Sequence, residues 1–542
     1  MSLFTKATSK AHKPMRKGVF FVPFTLLLVT LIFGAVDSEG FSNVLDNLLN
    51  FCFQHFGWLI NFSSFLWVVL LIGLMFSKWG KVKLGGKDAK PTMSTFHWCA
   101  ITLTSGMAIG IAFWGVAEPL LHYSNPPAAL GIEPSSAESA VWGLKTAMHH
   151  WGVTPYAIYL LFGLAIAYAV YNKNQPMAVS SCLYPVLGEK GLKRYGGIVD
   201  ALTLFAIAGG VAHSLGLGIL QLSNGIAYIS GIKSLATNPI VWISVAVAII
   251  VAYTLTSYSG IERGITWMAD RNVDLYVVIL VFLVIVGPTY FITNAGVEAL
   301  GMYISDFVSY STWMGITDVG GNLVSDSWVA SWPIFYWGIF LAYGPVVGLF
   351  LARIGYGRTI KQFILVNLFM PTIVSIIWFS IFGGSAIFLD YVQNVPLAEA
   401  VQADYSVAVY AFLEQFPLSK ISMIVMMLVA AVSFITLANS MSTAVATLST
   451  SGHTIDDPEP PAKYKIFWAI IMGGCAIVGV FAGGVQPLKI MGTLAGIPIM
   501  FLAFFCALSL ILFAIDSKTD ILSKIKEIFA EKKEKKKNKS TV

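Results

Sequence analysis

The sequence predicts an all-α polytopic membrane protein with about twelve transmembrane helices, and three observations support this prediction. Hydrophobic residues make up 56% of the 542 residues and charged residues only 11%, whereas soluble proteins contain about 25% charged residues. The apolar residues gather in runs long enough to cross a bilayer, and Lys and Arg are concentrated in alternate loops. The composition therefore argues against a soluble enzyme.

Each predicted span is an apolar run of about 20 residues, the length that crosses a hydrocarbon core of about 30 Å as a helix. Such runs begin near Gly18, Trp58, Phe96, Trp151, Ala201, Pro239, Val273, Trp328, Phe363, Ile421, Phe467 and Ile490. They divide the chain into an N-terminal segment (1–17), a domain of twelve helices (18–515) and a basic C-terminal tail (516–542).

The charges of the loops predict the orientation in a cytoplasmic membrane. Basic residues cluster before the first span and after spans two, four and eight, whereas the stretch 294–327 contains four acidic residues and no Lys or Arg. Because short cytoplasmic loops carry an excess of Lys and Arg, both termini are expected in the cytoplasm.

Two segments outside the spans have patterns of their own. Residues 297–310 alternate apolar and polar side chains, which predicts a short helix along the membrane surface. The tail from Lys518 onward contains nine Lys and four acidic residues, and its spacing between 521 and 539 fits an amphipathic helix on anionic lipid. The alternative is a solvated tail. The net charge of +6 belongs mainly to this tail, so no nucleic-acid partner is expected.

Span three contains glycines where a helix should be continuous. Gly106 and Gly110 flank Met107 at mid-membrane, and glycine costs about 1 kcal/mol in a helix interior. An unwound helix here would expose backbone groups to a substrate, as broken helices do in transporters. Close helix packing through small residues is the alternative. Glu118, farther along, is an intramembrane acid or a satisfied interfacial carboxylate.

Aromatic residues recur at helical spacing in two spans. Span eight carries Trp337, Phe340 and Tyr343 on one side. Span four offers Trp151, Tyr156 and Tyr159 around Pro155. Facing rings form a cage for a quaternary ammonium, which cannot donate hydrogen bonds but is attracted to π faces. The alternative is ordinary packing or an interfacial belt.

These stretches resemble the betaine/choline/carnitine transporter (BCCT) family over nearly the whole chain. The motifs that carry the resemblance are GMAIG at 106–110, FWGVAEP at 113–119, HWG at 150–152 with Pro155, FYW at 335–337, FLARI at 350–354 and GRT at 357–359. The resemblance implies a LeuT-like fold of twelve helices, with spans three to seven and eight to twelve as inverted repeats. It also implies a central site at mid-membrane and a homotrimer.

The family's aromatic box, carried over by position, falls on Trp151, Tyr156, Tyr159 and Phe340, with Trp337 and Tyr343 nearby. Tyr156 and Phe340 stand where the family commonly has Trp, which makes the box smaller. The backbone of Gly106 and Met107 would face the carboxylate of a compact betaine.

Span ten carries the candidates for ion coupling. The resemblance implies that sodium-coupled members have Thr-Ser at the positions of Thr436 and Leu437 and Asp at the position of Asn439. The Thr-Leu-x-Asn pattern of this chain looks more like that of the sodium-independent carnitine/γ-butyrobetaine exchanger. That exchanger has a buried arginine on span seven, one position from Arg271, and Asp274 is an unusual acid there. Charges within a membrane are functional candidates by default. The alternative is that Arg271 and Asp274 lie at the membrane border and pair with each other.

The sequence shows no cluster of metal ligands or catalytic residues. His149 and His150 are adjacent, so they face different sides of a helix, and no second ligand cluster accompanies them. We expect no enzyme, no metal and no cofactor other than a candidate sodium ion. The predicted function is secondary transport of glycine betaine, carnitine or a related betaine, leaning to sodium-independent exchange. A sodium-coupled betaine or choline symporter, a membrane-embedded enzyme and a channel are the alternatives.

Overall fold

The computed structural model describes residues 13–516 except 107, 259–261, 317–326 and 453–458. Within these described ranges, all the secondary-structure elements longer than an isolated bridge are helices. They are α1 (Lys17–Val36), α2 (Ser38–Phe76), α3 (Thr95–Gly106), α4 (Ala108–Ser124), α5 (Ala137–His150), α6 (Val153–Lys173), α7 (Tyr184–Ser230), α8 (Pro239–Tyr258), α9 (Glu262–Val286), α10 (Thr289–Ser305), α11 (Phe307–Thr312), α12 (Phe335–Ile354), α13 (Ile360–Tyr391), α14 (Leu397–Ala403), α15 (Ala408–Leu413), α16 (Ser419–Leu448), α17 (Ala462–Phe481) and α18 (Val485–Asp516).

The prediction of an all-helical, polytopic membrane protein is confirmed. In the described part of the chain, nine helices are long and apolar enough to cross a membrane, or ten if the bent pair α9 and α10 forms one span. A shorter apolar helix covers Pro239–Leu255. The count of twelve spans and the inverted repeats stay predictions.

One of the two predicted spans that contain glycine or proline breaks differs in detail from a continuous helix. Span three is described as α3 up to Gly106 and as α4 from Ala108, and the unwinding predicted around Met107 lies outside the described residues. Span four was expected to begin near Trp151, but α5 already begins at Ala137 and the helix breaks at Trp151 and Gly152 before α6. Pro155 lies in the first turn of α6, where its missing N–H breaks no intrahelical bond.

The centre of the bundle is formed by α6, which is buried from Thr154 to Ala169. It packs closely on α12 because both helices present glycine at the contact. A Cβ at Gly348 of α12 would lie only 2.7 Å from the backbone nitrogen of Gly163. Small residues bring helix backbones together in this way in membranes, where dispersion contacts replace the hydrophobic driving force.

The predicted short helix in 297–310 is present as the second half of α10 and as α11. The chain bends by 110° between α9 and α10, and Lys145 of α5 contacts this segment. Its ammonium lies 3.7 Å from the Asp306 carboxylate and 3.9 Å from the centre of the Tyr310 ring. The position of this segment along a membrane surface stays a prediction.

The segment before α1 is attached to the ends of other helices. The Arg16 guanidinium lies 2.7 Å from the Asp200 carboxylate of α7 and donates to the Leu448 carbonyl at 3.0 Å. Met15 also forms an isolated antiparallel bridge with Thr450. The amphipathic helix predicted for 521–539 lies outside the described residues.

Candidate functional site

Four of the predicted aromatic residues meet at the contact between α6 and α12. The Phe340 ring lies 5.1 Å from Tyr159, 5.7 Å from Trp151 and 6.3 Å from Tyr156, measured between ring centroids. All four side chains are buried. Trp151 can reach this cluster because the break before α6 turns its indole toward α12. We call these four residues the aromatic box.

The polar end of Tyr156 is bonded to a residue outside the box. Tyr156 Oη lies 2.9 Å from Ser375 Oγ of α13, which holds the ring against Phe340. Buried tyrosine hydroxyls require such partners, since an unpaired polar group costs about 1–3 kcal/mol. The box therefore presents ring surfaces, the feature that attracts a cation without hydrogen-bond donors.

Trp337 and Tyr343, predicted near the box, have other partners. The Trp337 indole donates to Asn61 Oδ1 of α2 at 2.9 Å and packs against His149 and His150. Tyr343 Oη donates to the Gly210 carbonyl at 3.0 Å. Each residue is three positions from Phe340, and a step of three residues turns a helix about 60° away from the starting direction.

Gly110 of span three lies next to the box. A Cβ at Gly110 would lie 2.1 Å from Cη2 of Trp151, so only glycine allows the indole this position. Gly106 is the last residue of α3 and α4 begins at Ala108. Met107 lies outside the described residues.

Glu118 of α4 connects the box to a polar network that is completely buried. Its Oε2 accepts hydrogen bonds from the Trp151 indole at 2.8 Å and from Tyr336 Oη at 2.5 Å. Its Oε1 lies 2.7 Å from His150 Nδ1 and 3.4 Å from His122 Nε2. Tyr336 was part of the motif FYW but was not predicted as a site residue.

This network corrects the expectation that no ligand cluster accompanies the histidines. Ligand atoms of Glu118, His122 and His150 lie within 4.8 Å of one another, with His122 one helical turn from Glu118 and His150 32 residues from it. Both carboxylate oxygens already accept N–H or O–H donors. These bonds offset the burial of the charge, as buried carboxylates require, so the donor set favours a hydrogen-bonded network over a metal site.

The candidates for ion coupling lie on α16 and at the start of the apolar part of α9. Thr436 and Asn439 are half-buried on α16. One turn earlier, Ser433 Oγ accepts from Asn272 Nδ2 of α9 at 2.8 Å. Arg271 and Asp274 pair with each other at 2.8 Å, with 59% and 58% of their side chains exposed. This arrangement is the one expected if both residues lie at the membrane border and pair with each other.

Lys489, near the start of α18, was not predicted as a site residue, because the predicted span began one residue later, at Ile490. Its side chain is buried. The ammonium donates to the Ser331 carbonyl at 2.8 Å and lies 4.4 Å from the centres of the Trp332 and Phe335 rings. A lysine inside an apolar run, and not at its edge, was the signal available in the sequence.

The sequence was compared with protein-family models and with known proteins. The model of the BCCT, betaine/carnitine/choline family transporters, matches residues 18–518. A probable glycine betaine transporter of Desulfitobacterium hafniense is 34% identical over 88% of this chain and 92% of its own.

Two further relatives are similarly close. An ectoine/hydroxyectoine transporter of Virgibacillus pantothenticus is 34% identical over 89% of this chain and 93% of its own. The glycine betaine transporter OpuD of Bacillus subtilis is 32% identical over 89% of this chain and 91% of its own. The matches cover the helices that build the aromatic box, and the relatives are transporters, not enzymes. The chain belongs to the betaine/carnitine/choline transporter family.

Proposed function

We propose that this protein is a secondary transporter for a compact zwitterion with a quaternary ammonium group, such as glycine betaine, carnitine or γ-butyrobetaine. The observation that carries the proposal is the aromatic box, in which Trp151, Tyr156 and Tyr159 surround Phe340. The names of the relatives, betaine and ectoine transporters, support the same class of compact solute.

The box would bind the ammonium group through its ring faces. A desolvated cation–π contact contributes about 2 kcal/mol, and Trp is a stronger partner than Tyr or Phe. With one Trp among its four rings, this box suits a small head group that several rings contact at once. The carboxylate would face the backbone of Gly106 and Met107, the part of span three whose sequence predicts an unwound helix.

Transport would proceed by alternating access around this fixed site, with one helix bundle rocking against the other. The break between α5 and α6 at Trp151 and Gly152 and the interrupted start of α12 at the π-helical turn Ala330–Ile334 provide the points of bending. We further propose a homotrimer in the cytoplasmic membrane, with both termini in the cytoplasm and the basic tail near anionic lipid.

For coupling, we favour sodium-independent exchange over sodium symport. Leu437 offers no side-chain oxygen, and the Ser433 hydroxyl already accepts the Asn272 amide. Arg271 is exposed and paired with Asp274, so it supplies no buried charge in place of sodium, and this observation favours the symport alternative. Thr436 and backbone carbonyls would hold sodium in the symport alternative, because hard cations prefer several oxygen ligands.

Binding of betaines to the purified protein tests the substrate class. Glycine betaine, carnitine, γ-butyrobetaine and choline would be titrated while tryptophan fluorescence is followed, since Trp151 lies in the box. We expect saturable binding that Phe340→Ala weakens at least about tenfold, the loss of one cation–π contact. Phe505→Ala, at a half-exposed ring on α18, is the control. Equal binding by both variants would exclude the box as the site.

Uptake into proteoliposomes tests the coupling. Vesicles loaded with unlabelled betaine should accumulate labelled betaine equally well with and without a sodium gradient. Strict dependence on sodium would contradict exchange and favour the symporter.

A further inference from the structure

A lysine ammonium is enclosed in the protein interior on one side of the aromatic box. Lys489 is only 4% exposed. Its Nζ lies 4.4 Å from the centres of the Trp332 and Phe335 rings and 5.7 Å from that of Trp114. These three rings and the Ser331 carbonyl, at 2.8 Å, stabilise a positive charge, because ring faces and carbonyl oxygens both attract cations.

Glu118 is a buried acid in the same region, since its carboxylate accepts from Tyr336, whose ring lies 4.8 Å from that of Phe335. The Glu118 carboxylate is not free to move toward the ammonium, because it is bonded to Trp151, Tyr336 and His150. The interior therefore holds a positive and a negative charge at separate, fixed positions. Fields of buried charges extend farther than those of exposed charges because solvent screens them less.

A short chain of ring contacts connects Lys489 to the box. Phe335, which faces the ammonium, lies 4.8 Å from Tyr336, and Tyr336 lies 5.4 Å from Trp151. Trp151 is a wall of the box. A ligand in the box is therefore separated from Lys489 by three rings, those of Phe335, Tyr336 and Trp151, which exclude water and leave the field of the lysine largely unscreened.

We propose that Lys489 makes the site selective for zwitterions over net cations, so that betaines bind in preference to quaternary amines without a carboxylate, such as choline. The inference rests on the proposed function of the box. The ammonium of either ligand is repelled by Lys489. Only a betaine also carries a carboxylate. The Lys489 ammonium attracts this carboxylate in any position that the carboxylate takes, and the attraction offsets part of the repulsion.

The sign of the effect does not depend on the ligand's orientation. When the lysine charge is removed, choline affinity rises by the whole repulsion that is lost. Betaine affinity rises less, because the attraction of the carboxylate is lost together with the repulsion of the ammonium. Two unit charges about 10 Å apart at an effective dielectric constant of about 20 interact strongly enough to change an affinity about tenfold. Neutralising Lys489 should therefore strengthen choline binding relative to betaine binding by about that factor.

A purely structural role predicts a different result. Lys489 joins α18 to the π-helical turn Ala330–Ile334 through the Ser331 carbonyl. If this link were its only contribution, neutral variants would weaken the binding of both ligands equally, through a distorted site, and the ratio of the two affinities would not change.

The test is competition of choline and glycine betaine against labelled glycine betaine, on the purified full-length protein. The first measurement needs no variant: choline should bind to the wild-type protein at least about tenfold more weakly than glycine betaine. Lys489→Met should reduce the choline-to-betaine ratio of dissociation constants about tenfold, and Lys489→Gln should do the same if the Met variant does not fold. Lys489→Arg, which keeps the charge, should preserve the wild-type ratio.

Lys465→Met is the matched control, because Lys465 is also buried but lies at the start of α17, where it pairs with Glu459. It should leave the ratio unchanged. Equal affinity of wild type for the two ligands, or an unchanged ratio in the neutral Lys489 variants, would overturn the inference. Failure of wild type to bind any quaternary ammonium compound would instead contradict the proposed function.

Discussion

The indole N–H of Trp151 donates to Glu118 Oε2 at 2.8 Å, so a wall of the aromatic box is fixed by a buried carboxylate on another helix. The same oxygen accepts from Tyr336, and the other oxygen contacts His150. The carboxylate therefore sets the orientation of the indole and also places a negative charge at its edge, which strengthens the attraction of the ring for a cation.

Glu118→Gln should weaken betaine binding about tenfold while the protein still folds. The amide oxygen can accept only part of the bonds that the carboxylate receives, and hydrogen bonds to a charged group contribute about 1.5–3 kcal/mol. Titration by tryptophan fluorescence measures the affinity, with Glu399→Gln, at an exposed position, as the control. An unchanged affinity in Glu118→Gln would show that the carboxylate does not position Trp151.

Gly110→Ala should abolish betaine binding, although the substitution adds only one methyl group. The new Cβ would lie 2.1 Å from Cη2 of Trp151, closer than atoms approach, so the indole must leave its place in the box. Gly73→Ala is a suitable control, because no atom lies within 4 Å of its added Cβ and alanine favours the helix by about 1 kcal/mol. Normal binding by Gly110→Ala would mean that the indole can shift without loss of the site.

The sequence predicted the membrane-spanning helices and the members of the box, but not the network behind the box. Helical spacing placed Trp337 and Phe340 on a common side, and the family resemblance was needed to bring Trp151 opposite Phe340. Spacing could not show that Trp337 donates to Asn61, which is 276 residues away. Glu118 was noticed as a charge within the membrane, but its partners lie 32 and 218 residues away, beyond any local pattern.

The pair between Arg16 and Asp200 should stabilise the fold without affecting the site. The Arg16 guanidinium lies 2.7 Å from the Asp200 carboxylate, and Asp200 is buried whereas Arg16 is partly exposed. Among the described residues, Asp200→Asn removes the only charged partner of the guanidinium. We expect a lower melting temperature in detergent and a loss of about 1–3 kcal/mol, the contribution of a hydrogen bond to a charged group. Betaine affinity should be unchanged. A double-mutant cycle with Arg16→Met isolates the contribution of the pair, and a coupling energy of zero would contradict it.

Ser433→Ala should impair transport more than removal of the Arg271 charge. The Ser433 hydroxyl accepts from Asn272 and lies 3.2 Å from Tyr276 Oη. The alanine therefore leaves the buried Asn272 amide without this partner, at a cost of about 1–3 kcal/mol, and also removes a contact of the half-buried Tyr276 hydroxyl. Arg271→Gln breaks an exposed ion pair, and such pairs contribute at most about 1 kcal/mol. Exchange in proteoliposomes should fall several-fold in the first variant and less than about twofold in the second.

The comparison of these two variants decides whether coupling depends on the contact between α9 and α16 or on the charged pair beside it. If Arg271→Gln abolished sodium-independent exchange while Ser433→Ala retained it, the guanidinium would have to enter the bundle in another conformation of the transport cycle, because 59% of its side chain is exposed in this one. The expected order instead places the requirement on the buried Asn272–Ser433 bond, which α9 and α16 must keep or remake as the bundle rocks.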